Sequence, residues 1–125
     1  MREGDDISII TYGMGVHKAL EVLDKHPEIS GDVVDLRTLN PLDTETIFES
    51  VERTGKVLIL HEDTLFGGIG GELSAIINEH CFQLLDAPVA RVASLDTPVP
   101  FAGSLEDNFL PWQRFEAKLV ELWEY

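Results

Sequence analysis

Four short runs of apolar, largely β-branched residues alternate with longer amphipathic stretches, and this alternation is the feature that most constrains the fold. The clearest run is 56–61, where four consecutive apolar residues predict a strand buried on both faces, as in the middle of a parallel sheet. Similar runs predict three further strands, at residues 7–12, 33–36 and 89–93. Strands separated by helices favour a parallel sheet covered on both faces, and the right-handedness of crossover connections leaves few topologies. The 125 residues are therefore expected to form one α/β domain.

Helices are predicted between these strands. The apolar spacing and the Pro and Gly positions place them at residues 14–26, at residues 43–53, after the glycine-rich turn 67–71, and from Pro111 onward. In the third helix, Leu73, Ile76, Ile77 and His80 are predicted to share the apolar face. Cys81 ends this stripe, so we expect a small core residue rather than a reactive thiolate.

The charge of the chain restricts its partners. Nine basic and 23 acidic residues give a net charge of −14. Such a polyanion repels nucleic acid and anionic membrane surfaces, and it attracts a basic protein partner. The single cysteine, the lack of an apolar run of about 20 residues and the lack of a visible secretory leader together predict a cytoplasmic location.

Two polar or glycine-rich segments follow the central strand. His61, Glu62 and Asp63 come where open α/β sheets bind ligands, so a metal site or an acid/base pair is one interpretation, and a turn or interface role is the other. The run 66–71 has neither dinucleotide-binding nor P-loop spacing, and the acidic residues beside it would repel a phosphate. We expect it to pack closely against the sheet or a neighbouring subunit.

The connection 95–110 is long and unusually apolar. Long connections without regular structure are often functional, and an apolar one must be covered. Two alternatives stay open, since it can fold back over its own domain or contact another subunit.

Segments spread over most of the chain resemble a known family. Residues 34–43 read Val-Asp-Leu-Arg-Thr-Leu-Asn-Pro-Leu-Asp, which is similar to a signature of the C-terminal domain of the β subunit of 2-oxo acid dehydrogenases. The match continues in order through Thr54-Gly55-Lys56, His61-Glu62, Gly67-Gly68, Leu85-Asp86-Ala87-Pro88, Arg91-Val92 and Asp96-Thr97-Pro98-Val99-Pro100. The chain looks more like the branched-chain (2-oxoisovalerate) type than the pyruvate type.

The resemblance implies a transketolase C-terminal-type fold. This is a three-layer α/β/α domain with a mostly parallel sheet of five strands, the first of which is antiparallel. Because the chain predicts only four strands, residues 1–6 look like the remnant of a preceding strand and residues 7–125 like the domain itself. We therefore expect a piece of a longer polypeptide, with a partly unpaired sheet edge near the N-terminus.

The resemblance also implies a function. The whole enzyme uses thiamin diphosphate and Mg²⁺ to decarboxylate a 2-oxo acid and passes the acyl group to a lipoyl acyltransferase. The family's cofactor contacts lie in other domains, so we assign no catalytic, cofactor-binding or metal-binding residue here and expect the isolated domain to be inactive.

Assembly is the role that remains. The residues expected at a subunit interface, in a parent enzyme that is a homo-oligomer, are His61, Glu62, Phe66, Gly67, Gly68, Pro98, Pro100, Phe101 and Phe109. Asp86 and the terminal carboxylate of Tyr125 are expected to dock the small basic binding module of the acyltransferase core.

Two other functions stay open at this point. One is a free-standing α/β enzyme with a small-molecule site at residues 61–63. The other is a protein-interaction module outside metabolism.

Overall fold

The computed structural model describes residues 3–36, 44–64, 69–94 and 112–125. Strands and helices alternate along them, and a single 3₁₀ turn, Phe82–Leu84, follows the third helix. The elements are β1 (Ile7–Thr11), α1 (Met14–Lys25), β2 (Gly31–Asp35), α2 (Thr44–Thr54), β3 (Val57–Thr64), α3 (Ile69–Cys81), β4 (Ala90–Ser94) and α4 (Trp112–Glu124).

The sheet has the order β2-β1-β3-β4 within the described residues, and every pair in it is parallel. Ile9 of β1 pairs with Val33 on one side and with Leu58 on the other, so β1 is a central strand. The predicted parallel α/β domain is confirmed. Because all strands run in one direction, the sheet has an amino end and a carboxyl end, and these ends carry different residues.

Helices cover both faces of the sheet and make three layers. One apolar cluster packs α1 and α4 against one face, with Leu23 and Phe115 fully buried in it. The other cluster packs α2 and α3 against the opposite face, with Ile47 and Ile77 fully buried. The alternation of side chains along β1 divides its isoleucines between the clusters, since Ile9 belongs to the first and Ile10 to the second.

The segment before β1 lies beside the start of β2, which is an edge strand of the described sheet. The amide of Asp6 donates to the carbonyl of Ser30 at 2.8 Å, and the amide of Gly4 donates to the Asp32 carboxylate at 3.2 Å. The division of the chain at residue 6 stays a prediction.

Two details differ from the expectations. The third strand does not end at residue 61 but continues to Thr64, with an irregularity in its pairing with β4 between Leu60 and Thr64. His80 is exposed rather than on the buried face of α3, and its ring lies 5.3 Å from that of Phe48. The buried stripe of α3 advances four residues at a time, so Cys81 takes the inward position after Ile77.

Cys81 is buried, as expected, and this burial raises the pKa of its thiol. Within the described ranges, no helix is both long and apolar enough to cross a bilayer.

Candidate functional site

Three segments meet at the amino end of the sheet, and we call them the amino-end face. They are residues 55–56 between α2 and β3, residues 82–86 after α3, and residues 123–125 at the end of α4. The turn at residues 55–56 lies in the middle and contacts both of the others.

Gly55 positions Asp86. It ends α2 with a φ of +74°, a left-handed conformation that favours glycine, and its amide donates to the carbonyl of Val51 at 2.8 Å. The amide of Asp86 in turn donates to the carbonyl of Gly55 at 2.7 Å. A Cβ at residue 55 would lie 2.5 Å from Oδ2 of Asp86, so only a glycine leaves the carboxylate where it is.

Lys56 holds the C-terminal segment on the other side of the same turn. Its Nζ donates to the carbonyl of Trp123 at 3.0 Å, and the indole N–H of Trp123 donates to the Asp6 carboxylate at 3.2 Å. The amide of Tyr125 donates to the carbonyl of Leu122 at 3.2 Å, while the side chain of Tyr125 is 72% exposed. Asp86 is also exposed, so both predicted docking residues are exposed at the amino end of the sheet, on segments that bond to the same turn.

A chain of buried polar side chains lies beneath α2 at this end, and we call it the buried hydroxyl chain: Thr54, Ser8, Ser50 and Asp32. The Ser8 hydroxyl lies 2.6 Å from the hydroxyl of Ser50 and 2.6 Å from that of Thr54. The Ser50 hydroxyl donates to the Asp32 carboxylate. Because Ser50 uses its proton there, Ser8 donates to Ser50, and the single proton of Thr54 is shared between Ser8 and the Lys56 carbonyl, which lies 3.1 Å from the Thr54 hydroxyl.

Arg53 closes the network at the surface. Its Nη2 lies 2.8 Å from Oδ1 of Asp32, and its Nε donates to the carbonyl of Gly4 at 3.1 Å. A cavity of about 350 Å³ opens beside this pair, with Glu3, Asp32 and Glu49 among its lining residues. Arg53 is the cation among the lining residues, and its guanidinium is already bonded to Asp32. The carboxylates of the lining would repel a diphosphate group. The cavity therefore does not fit thiamin diphosphate.

His61 is the other predicted residue whose side chain the structure describes, and it lies in the carboxyl half of β3. His61 is 1% exposed there, and Thr11 on the neighbouring strand is equally buried, with a hydroxyl that has no hydrogen-bond partner among the described residues. Gly15 lies against that hydroxyl, where a Cβ would overlap it.

The rest of the predicted interface lies outside the described residues. This holds for the Glu62 side chain, although its backbone belongs to β3, and for Phe66, Gly67, Gly68, Pro98, Pro100, Phe101 and Phe109. The interface therefore stays a prediction. In the part of the chain that the structure describes, no group of three His, Cys, Asp or Glu side chains is placed to hold a metal ion.

Sequence reasoning missed two features of this end of the molecule. The buried hydroxyl chain has a signal, since Ser8 and Asp32 interrupt apolar strands while Ser50 and Thr54 stand four residues apart on α2. The second feature is Phe82, since the sequence carries no sign that its side chain is 72% exposed at the end of α3.

Comparisons with known proteins agree with this architecture. Residues 1–114 match the model of the family described as transketolase, C-terminal domain. The β subunit of 2-oxoisovalerate dehydrogenase from Bacillus subtilis is 49% identical over 99% of this chain and 39% of its own length. The pyruvate dehydrogenase E1 component subunit beta of the same species is 46% identical over 88% of this chain and 34% of its own length.

A solved structure described as a split-gene transketolase, inactive beta4 tetramer, superposes with a TM-score of 0.80 at 28% identity. The likeness covers 98% of this chain and 40% of that one. The chain thus spans about two fifths of the length of the relatives it matches. Because the family model covers residues 1–114 and the sheet and layers agree with it, this chain belongs to the transketolase C-terminal domain family.

Proposed function

We propose that this chain is the C-terminal assembly domain of the β subunit of a thiamin-diphosphate-dependent 2-oxo acid dehydrogenase. The observation that carries the proposal is the match over almost the whole chain to β subunits of such enzymes. The identity to the 2-oxoisovalerate enzyme extends over 99% of the chain, against 88% for the pyruvate enzyme of the same species, which supports the branched-chain type.

In this proposal the decarboxylation takes place outside the chain. Thiamin diphosphate and Mg²⁺ bind to other parts of the parent enzyme, and the chain supplies contacts between parts, in the cytoplasm. The carboxylate-rich lining of the cavity beside Arg53 supports this division, because it is unsuited to an anionic cofactor.

The amino-end face is the proposed docking site for the basic binding module of the acyltransferase. Asp86 offers an exposed carboxylate, and the exposed Tyr125 belongs to a segment that is bonded to the same turn through Trp123. The net charge of −14 attracts a basic module over long range. Opposite charges of this kind speed encounter and set orientation more than they add affinity.

The carboxyl end is the proposed subunit interface. β3 and β4 end there at Thr64 and Ser94, and the predicted interface segments are residues 61–71, which include the end of β3, and residues 98–110, which follow β4. The apolar character of residues 98–110 supports a covered contact in a homo-oligomeric parent.

A titration with the recombinant binding module of the acyltransferase from the same genome tests the docking proposal. Asp86→Asn is compared with Glu72→Gln, which removes one exposed carboxylate in the first turn of α3, at the opposite end of the sheet. We expect Asp86→Asn to weaken binding about tenfold at low salt and Glu72→Gln to change it little. Binding to the unaltered chain should also fall steeply as salt rises.

Two results contradict the proposal. One is module binding that does not respond to salt. The other is an equal effect of the two substitutions, since a carboxylate at the far end of the sheet then matters as much as Asp86.

A further inference from the structure

We infer that the turn at residues 82–84 is an apolar anchor on the amino-end face, which receives an apolar side chain of the basic module docked at Asp86. The inference rests on the proposed docking and adds a second, non-ionic determinant to it.

The exposed apolar side chains of the described residues are concentrated at one place. Four large ones are exposed, and Met14 is the one that lies at the carboxyl end. The other three belong to the amino-end face: Phe82 and Tyr125 at 72% each and Leu84 at 43%. Scattered single apolar residues are ordinary on a protein surface, whereas a cluster beside a charged group is typical of an interaction site.

A cavity adjoins two of these side chains, Phe82 and Leu84. It has a volume of about 440 Å³ and is formed by the end of α3 and the turn after it, with Glu79, His80, Phe82, Gln83 and Leu84 as lining residues. This volume is large enough for one branched or aromatic side chain. The Glu79 carboxylate also lines the cavity, where it can pair with a basic residue of the module that is adjacent to the inserted apolar side chain.

The anchor is held in a fixed position relative to Asp86. The amide of Leu85 donates to the carbonyl of Phe82 at 3.3 Å, and the next amide, that of Asp86, donates to Gly55. The Leu84 carbonyl lies over Gly55 as well, 3.2 Å from where a Cβ would be. The backbone positions of Phe82 and Asp86 are therefore fixed relative to one another before binding, which lowers the entropic cost of docking.

The charge selects the occupant. A second copy of this chain would bring two acidic faces together within a net charge of −14 on each, which opposes association. A basic module is attracted instead, and an exposed aromatic ring can also take a guanidinium or ammonium group on its face. Aromatic residues next to charged groups are frequent determinants of binding energy at interfaces.

The test is a titration of the 125-residue chain with the recombinant binding module, comparing Phe82→Ser with the matched control Met14→Ser. Met14 is 51% exposed at the other end of the sheet, so both substitutions remove an exposed apolar side chain. We expect Phe82→Ser to weaken binding about tenfold and Met14→Ser to leave it unchanged. The slope of affinity against salt should stay the same in Phe82→Ser, because no charge is removed, whereas Asp86→Asn lowers it.

The outcomes separate the two proposals. If the unaltered chain does not bind the module, the docking proposal fails and this inference with it. If it binds and Phe82→Ser binds equally well, the anchor alone is wrong. If sedimentation shows a dimer of the chain that Phe82→Ser dissociates, the anchor belongs to a second copy, which also overturns the inference. Thermal unfolding of each variant checks that the fold is retained.

Discussion

Removal of the Asp32 carboxylate is the sharpest test of the buried hydroxyl chain. Asp32 is 4% exposed and accepts from the Gly4 amide, the Ser50 hydroxyl and the Arg53 guanidinium. Asp32→Ala leaves these three donors without their acceptor. Loss of one partner of a buried ion pair commonly costs about 3–5 kcal/mol. Since the Arg53 side chain is 42% exposed and regains water, we expect Asp32→Ala to lower the free energy of unfolding by about 2–3 kcal/mol.

Asp32→Asn should be far milder, for a reason specific to this geometry. An asparagine can present its oxygen to Gly4 and Arg53 and its NH₂ group to the Ser50 hydroxyl. Ser50 then accepts from the amide and donates to Ser8, Ser8 donates to Thr54, and Thr54 keeps the hydrogen bond that it already donates to the Lys56 carbonyl at 3.1 Å. All groups stay satisfied, and only the charge-assisted part is lost, about 1 kcal/mol.

Urea unfolding followed by circular dichroism measures both values. Asp32→Ala within about 0.5 kcal/mol of the unaltered chain would refute the reasoning, because that is the range of ordinary surface substitutions. An equal loss of unfolding free energy in Asp32→Asn and Asp32→Ala would show that the buried hydroxyl chain does not rearrange around an amide. The loss of the carboxylate charge would then account for the whole effect.

Two further predictions concern the ends of helices. Hydrogen bonds to Glu116 at 2.8 Å and to Glu28 at 3.2 Å raise the pKa of His26, so its contribution of about 0.5 kcal/mol should be complete below pH 6.5 and disappear as pH rises through the raised pKa. His26→Gln should flatten the stability profile across that interval in urea unfolding, and an unchanged profile would contradict the assignment. Gly55→Ala should lower the free energy of unfolding by at least about 1 kcal/mol, because a methyl group is strained at a positive φ. It should also weaken module binding, because the methyl group displaces the Asp86 carboxylate. A variant as stable as the unaltered chain would show that the turn is not constrained.

The spacing of apolar residues along the sequence predicted the strands and helices, because the burial of apolar side chains determines where these elements form. The run 56–61 was predicted as a strand buried on both faces and is part of β3, and the helix predicted from Pro111 onward is α4, in which Phe115, Leu119 and Leu122 are buried. Asp86 and Tyr125 were singled out by the family resemblance, and the bonds that hold their two segments to residues 55–56 depend on tertiary packing that no local pattern contains.

The rest was not predictable for physical reasons. The extent of β3 to Thr64 depends on pairing with β4, and strand ends are decided by their neighbours rather than by their own residues. His80 follows Ile77 at a helical spacing that predicts a buried side chain. In the structure Cys81 takes the inward position instead, and His80 is exposed. The hydroxyl chain joins four residues from β1, β2 and α2, so its cooperation appears only when those elements meet.

The most direct test of the central claim replaces the matching two fifths of the Bacillus subtilis 2-oxoisovalerate dehydrogenase β subunit with this chain. Decarboxylation, followed with an artificial electron acceptor, is compared with acyl transfer to the lipoyl acyltransferase. The account predicts that the chimaera performs both, and that Asp86→Asn lowers the ratio of acyl transfer to decarboxylation increasingly as salt rises. A ratio that Asp86→Asn leaves unchanged, with both rates falling together, would contradict the claim that this domain assembles the enzyme and leaves the chemistry to other parts.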